Sequence, residues 1–318
     1  MKILYQLNIL NFTKIKNITS ILIFLIVIVI ISTEFILRTF YGFCNAPLYI
    51  EDKDFEYIYA PNQNVLRFGN QIIVNEYSMR SLQLSDNDSV RILFFGDLVV
   101  NGGSRIDHNN LSTSMLEKKL GKHLNDKIRV LNISAGSWGP DNAFAYLNKY
   151  GDFNSKVLVL FLSSHHAIDT MTHKKVVGIH PNYPKDQYAF AIIELIDRYI
   201  IPYLTSSKPT KFKKKSKTPV FLNRGIIEFI NYAKKNNKEL ILYLHPTTEE
   251  LIKGIYDKDG ERIIKFIDST NVKYILGINS ENNLSYYSDY IHLNNDGQKY
   301  LSKLFYPLLR EAITGQNH

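Results

Sequence analysis

Arg91-Ile-Leu-Phe-Phe-Gly-Asp-Leu98, continued by Val99-Val-Asn-Gly-Gly103, is the stretch on which the reading of the fold turns. Ile92 to Phe95 run apolar without interruption, as a strand buried on both faces requires, and end at once in Gly96-Asp97 and a run of small residues. The same grammar repeats downstream. Apolar β-rich runs at 92–95, 128–132, 157–162, 240–244 and 272–276 predict five strands. Between and after them, amphipathic stretches at 112–124, 142–150, 187–203, 225–236, 260–269 and 295–313 predict helices. That alternation specifies an α/β domain, a parallel sheet covered by helices on both faces.

Outward from this core, the chain divides into three parts. Residues 1–43 hold an apolar run from Ile18 to Ile31, extended through Leu37 to about 20 residues, enough to cross about 30 Å of hydrocarbon. Lys2, Lys14 and Lys16 precede the run and Arg38 follows it, which predicts a single-pass helix with a cytoplasmic N-terminus and an exported domain. No Ala-x-Ala-like site ends the run, which favours an uncleaved anchor. Residues 44–90 read as an irregular lead-in on the domain edge, with short extended pieces at Tyr57–Pro61 and Gln71–Asn75. Residues 91–318 form the α/β domain, interrupted by a long excursion at about 170–223. Within the excursion, the polar, lysine-rich Thr205–Pro219 reads as a loop: a solvated linker, or an electrostatic contact with anionic lipid or polymer.

Of 318 residues, 45% are hydrophobic and 21% charged, a composition that buries a full core and excludes global disorder. The net charge of +8 does not indicate nucleic acid, because outside Lys208–Lys217 the cations are scattered and no recognition motif accompanies them. A single cysteine, Cys44, excludes an internal disulfide and any cysteine-rich metal site.

In an open α/β sheet, ligands bind beyond the carboxyl ends of the strands, where successive loops converge. Four polar segments fall on those ends: Gly96-Asp97-Leu98, Ser134-Ala-Gly-Ser-Trp-Gly139, Ser163-Ser-His-His-Ala-Ile-Asp169, and the pair Asp289 and His292 before the last helix. Three-residue spacing in a turn lets a carboxylate fix the tautomer of an imidazole and leave its other nitrogen free as a base.

The order and content of these blocks resemble the SGNH/GDSL hydrolases in their membrane-anchored bacterial form, over about residues 57–310. Asn75-Glu-Tyr-Ser-Met-Arg80 also resembles the strand and arginine that precede the first block in anchored members. The resemblance implies a flavodoxin-like three-layer α/β/α sandwich, without a cofactor or metal. It also implies a serine nucleophile at position 98, an Asp289/His292 pair, and oxyanion or substrate contacts from Asp97, Gly136, Ser137, His165 and His166. Ser137 falls on the family's glycine, whose backbone N–H any residue but proline supplies. His165 falls on its asparagine, and an imidazole still donates one hydrogen bond.

Position 98 departs from the pattern. Leucine offers no lone pair with which to attack an acyl carbon, so hydrolysis by the serine mechanism is expected to be close to absent. Ser104, beyond Gly102-Gly103, would have to reach back across a turn to replace it. Three readings follow. The first is an impaired esterase or deacetylase scaffold that binds an acylated cell-envelope glycan or another ester. The second is a metal-dependent hydrolase in which Asp97, His165, His166, Asp289 and His292 hold zinc or manganese. The third is an active hydrolase of which this chain is a serine-to-leucine variant. His180–Pro184 and His245-Pro246 either line the groove or serve as turns.

Overall fold

The computed structural model describes residues 2–125, 127–205 and 221–315, with side chains from Asn17 onward; the basic stretch 206–219 lies outside the described residues. The described residues form two compact units, one of residues 2–46 with 187–205, the other of residues 47–186 with 221–315.

The first unit is built on helix α1, Lys2–Tyr41. Its segment Asn17–Tyr41, 25 residues with mean hydropathy 2.8 and none of it buried, has the length and composition of a membrane span or a signal sequence. Gly42 ends the helix in the left-handed region (φ 66°), where glycine carries no Cβ penalty. The amides of Gly42 and Phe43 then return to the carbonyls of Arg38 and Leu37.

The second unit opens with two antiparallel hairpins, β1 (Tyr49–Asp52) with β2 (Glu56–Tyr59) and β3 (Gln63–Arg67) with β4 (Asn70–Val74). Phe55, Ile58, Tyr59, Ile72 and Val74 join the main core. Then follow β5 (Val90–Gly96), the single-turn α2 (Leu98–Asn101), α3 (Ser112–Leu124), β6 (Ile128–Ser134), α4 (Pro140–Tyr150) and β7 (Val157–Ser163). The excursion carries α5 (Ala191–Leu195), a π-turn at Ile196–Ile200 and α6 (Ile201–Thr205), which belong to the first unit. The second unit resumes with α7 (Arg224–Lys235), β8 (Glu239–His245), α8 (Thr248–Lys253), α9 (Lys258–Asp268), β9 (Lys273–Leu276) and α10 (Asn295–Thr314).

The sheet runs β6-β5-β7-β8-β9 with every pair parallel. Counted within the sheet this is the order 2-1-3-4-5 of flavodoxin-like proteins. Alternate residues of each strand face opposite layers. Leu93, Phe95, Leu160 and Leu242 pack with Tyr146 of α4, Phe229 of α7 and Ile263 of α9. Ile92, Phe94, Val159 and Ile241 pack with Leu116 of α3 and Phe305 of α10. The expected three-layer sandwich is therefore present. The registers set Gly96 beside Ser134 and Ser163 beside His245, so the strands end together along one rim.

The chain turns back over the sheet after β6, which makes the ends of β5 and β7 the switch point, the place where such sheets bind ligands. Those ends carry Gly96-Asp97-Leu98 and Ser163–His166.

Candidate functional site

Position 98 is set by its neighbours' hydrogen bonds. Asp97 caps α2, its Oδ1 accepting the amide of Val99 at 2.9 Å, and Gly102 (φ 73°) ends the helix one turn later. Leu98, half-buried, is the first helical residue. Its Cδ1 lies 3.2 Å from where a Cβ of Gly103 would stand, so that glycine makes room for it, and 3.9 Å from that of Gly136, an ordinary contact. Beneath the turn sits the buried guanidinium of Arg80, donating to the carbonyls of Asn101, Gly103 and Ile106. Asn101 ties the turn to the next strand, its Nδ2 donating to the Ser134 carbonyl at 2.9 Å. Its Oδ1 accepts the Tyr59 hydroxyl at 3.0 Å and the Gly103 amide at 3.1 Å.

Beyond β6, the Gly136 carbonyl accepts the hydroxyls of Tyr57 (2.8 Å) and Tyr183 (3.2 Å). Tyr183 also reaches Ser137 Oγ at 3.4 Å, so part of the His180–Pro184 segment meets this rim. Ser137 is exposed and left-handed (φ 61°), the backbone region that favours glycine. A serine thus keeps the shape of a glycine turn.

The block after β7 forms a 3₁₀ turn, Ser164–Ala167, with His165 exposed and His166 buried. The Ser163 amide donates to His166 Nδ1 at 3.1 Å, so the ring proton of neutral His166 resides on Nε2, which faces Asp97 Oδ2 at 3.7 Å. Burial, reinforced by His165 and His245, holds the His166 pKa well below the ordinary histidine value.

Asp97, His165 and His166 offer ligand atoms within 4.8 Å of one another. The donor set does not fit a divalent metal, because His166 Nδ1 is occupied by the Ser163 amide and Nε2 would bind only as imidazolate. Asp289 and His292 do not join that group.

Asp289 and His292 form a pair in the loop before α10. His292 Nδ1 lies 2.8 Å from Asp289 Oδ2 and 3.0 Å from Oδ1, and the amides of Ile291 (3.1 Å) and His292 (2.9 Å) donate to Oδ1. Partial burial pushes the Asp289 pKa up, but these bonds outweigh it and hold the carboxyl well below its usual range. A carboxylate on Nδ1 fixes the proton there and leaves Nε2 as the acceptor.

Four residues brace this loop or its surroundings. Arg105 Nη1 reaches Asp289 Oδ2 at 3.0 Å from the far side of the α2 turn. His245 Nε2 lies 2.8 Å from the Ile291 carbonyl, and the Thr248 amide donates to the Tyr290 carbonyl at 2.8 Å. Gln298 of α10 donates to the Val99 carbonyl (2.8 Å) and accepts the Ser112 amide (3.0 Å), which joins the helix after His292 to the helix that begins at Leu98. The buried His245 is held down to about pKa 4, first by burial; Asp97, His292 and His165 also act on it electrostatically.

Asp97, Leu98, Gly136, Ser137, His165, His166, Asp289 and His292 therefore all lie in loops or short helical turns that follow the strands. Arg105 and Gln298 were not foreseen from the sequence. Arg105 follows a glycine turn whose path sequence does not give, and Gln298 reads as one polar position of an amphipathic helix. Comparison with solved structures finds similarity to a lipolytic protein of the G-D-S-L family from Desulfitobacterium hafniense, at 13% identity and TM-score 0.42 over 69% of this chain and 99% of that one. The lipase/acylhydrolase from Enterococcus faecalis is similar at 9% identity and TM-score 0.43, over 72% and 100%. An acetyl xylan esterase from Geobacillus stearothermophilus is similar at 13% and 0.40, over 71% and 95%. No family profile and no curated protein matches the sequence.

Proposed function

We propose that the chain is an SGNH/GDSL-type ester-hydrolase scaffold, tethered by α1 with its N-terminus in the cytoplasm, that holds an acylated cell-envelope glycan or a related ester with little or no turnover. The observation that carries the reading is the pairing of an intact Asp289–His292 dyad with hydrocarbon at Leu98, the residue that opens the helix after the first sheet strand. In the proposed roles, Asp289 orients His292, His292 Nε2 is the base, and the amide of Ser137 with the imidazole of His165 faces the acyl oxygen. Asp97 shapes the turn and His166 holds Asp97 in place. Loss of a serine nucleophile costs about six orders of magnitude in turnover, because no acyl-enzyme forms, while oxyanion donors leave a small residual rate.

The test is esterase activity of the detergent-solubilised full chain on p-nitrophenyl acetate and acetylated sugars, beside its Leu98→Ser variant. The parent is expected near the buffer rate, and the variant to gain activity that a serine-directed phosphonate abolishes. Phosphonate-sensitive turnover by the unmutated chain would overturn the loss of the nucleophile, and a Leu98→Ser variant as inert as the parent would overturn the roles assigned to Asp289 and His292.

A further inference from the structure

The segment from Ala191 to Thr205 carries its apolar residues on the wrong side for a helix in water. Ile193, Ile196, Ile200 and Leu204, spaced three, four and four apart, form one stripe that is 52%, 42%, 40% and 74% exposed. A water-facing helix surface is ordinarily polar, and an exposed apolar stripe marks a surface that meets another apolar phase. The opposite side is satisfied within its own unit. Ala191 and Glu194 are buried, Glu194 accepts the Cys44 amide at 2.6 Å, and Arg198 pairs with Glu194 at 2.9 Å.

What adjoins the stripe follows from α1. Glu34, within the 25-residue apolar segment, accepts the amides of Ala191 (2.8 Å) and Ile192 (3.0 Å) and the Arg38 guanidinium (2.7 Å). Arg38 in turn donates to the Ala189 carbonyl at 2.5 Å. A carboxylate in a membrane segment is costly unless partnered, and this second helix supplies the partners. The same turns of α1 expose Phe35, Ile36, Phe40 and Tyr41. A phase that surrounds α1 there therefore also meets the helix docked on it.

We propose that 191–205 is an interfacial helix that lays its Ile193–Leu204 stripe into the bilayer beside the end of α1, giving the chain a second membrane contact. The idea rests on the reading of α1 as a span. Pro202, inside the segment, has no amide to continue the helical ladder, and the preceding turn is widened to a π-turn at 196–200. The helix is thus a short surface element and not a second span.

The experiment uses the full chain in phosphatidylcholine vesicles, in a Cys44→Ser background, with an environment-sensitive fluorophore at Ile193→Cys or Ile200→Cys. Val29→Cys in α1 and Ile252→Cys, an exposed apolar position of the other unit, serve as references. Acyl-brominated lipid is expected to quench the labels at 193 and 200 several-fold more strongly than the label at 252. If Val29 is quenched while 193 and 200 behave like 252, the interfacial helix is overturned and the anchor stands. If Val29 is not quenched either, both readings fall. Shielding of 193 and 200 from aqueous iodide without bromine quenching, accompanied by cross-linking between chains, would assign the stripe to a second copy and overturn the lipid contact.

Discussion

Leu98 takes part in the hydrogen bonding of its turn only through its backbone. The bonds that shape the turn run from Val99 to Asp97 and from Arg80 to three carbonyls, and none involves a side chain at 98. Exchanging the side chain at 98 therefore breaks no hydrogen bond of the turn, which makes Leu98→Ser a clean test of the proposed nucleophile position. The buried histidines set a pH dependence of their own. Burial holds His245 and His108 near pKa 4 in the folded chain, against about 6.5 when unfolded. The unfolded chain then binds more protons, so stability is full above about pH 6.5 and falls as pH drops toward 4. At pH 5 the loss relative to pH 7 is about 2 kcal/mol for each histidine, measurable by chemical denaturation, and His245→Gln should flatten the profile by one such increment. An unchanged slope in that variant would show that His245 is not held neutral. The dyad was readable because Asp289 and His292 lie three residues apart. Arg105 was not, since its contact with Asp289 crosses 184 positions of sequence.

At the scale of elements, continuous apolar runs marked β5, β7 and β8 because burial on both faces leaves few polar positions, whereas β6 and the edge strand β9 were readable despite Arg129 and Lys273. The helix 112–124 was readable to both ends, as Asn125 caps it in the left-handed region. The element α8 escaped because its six residues are too short for a period to show; Thr247 and Glu250 form its capping box. β1 and β3 escaped because two-stranded hairpins alternate too briefly. The helix expected over 187–203 begins only at Ala191, where Glu34 supplies its N-terminal partners from another element. One packing contact offers a sharp test. A Cβ on Gly225, at the start of α7, would fall on the backbone of Pro140 and Asp141 at the start of α4. Gly225→Ala should cost about 3 kcal/mol despite its gain in helix propensity, because backbone cannot yield as a side chain can. A denaturation midpoint equal to the parent's would mean that the two helices separate freely.

At the scale of the molecule, the proposed anchor makes a direct prediction. The full chain should remain in the membrane pellet after washes with high salt and alkaline carbonate, since neither weakens the burial of a largely apolar 25-residue segment. Release into the supernatant would remove the anchor from the account. The two units differ in what their sequences disclose: the sheet unit declares itself through periodicity, whereas the helix beside α1 draws its meaning from a partner more than 150 positions away. Arg80 has a consequence beyond its own bonds. A guanidinium stays protonated throughout the physiological range, so the three carbonyls that it gathers keep their donor at any physiological pH. On the proposed reading, a turn braced in this way needs little reshaping when a ligand meets the rim, so little binding energy goes into ordering it.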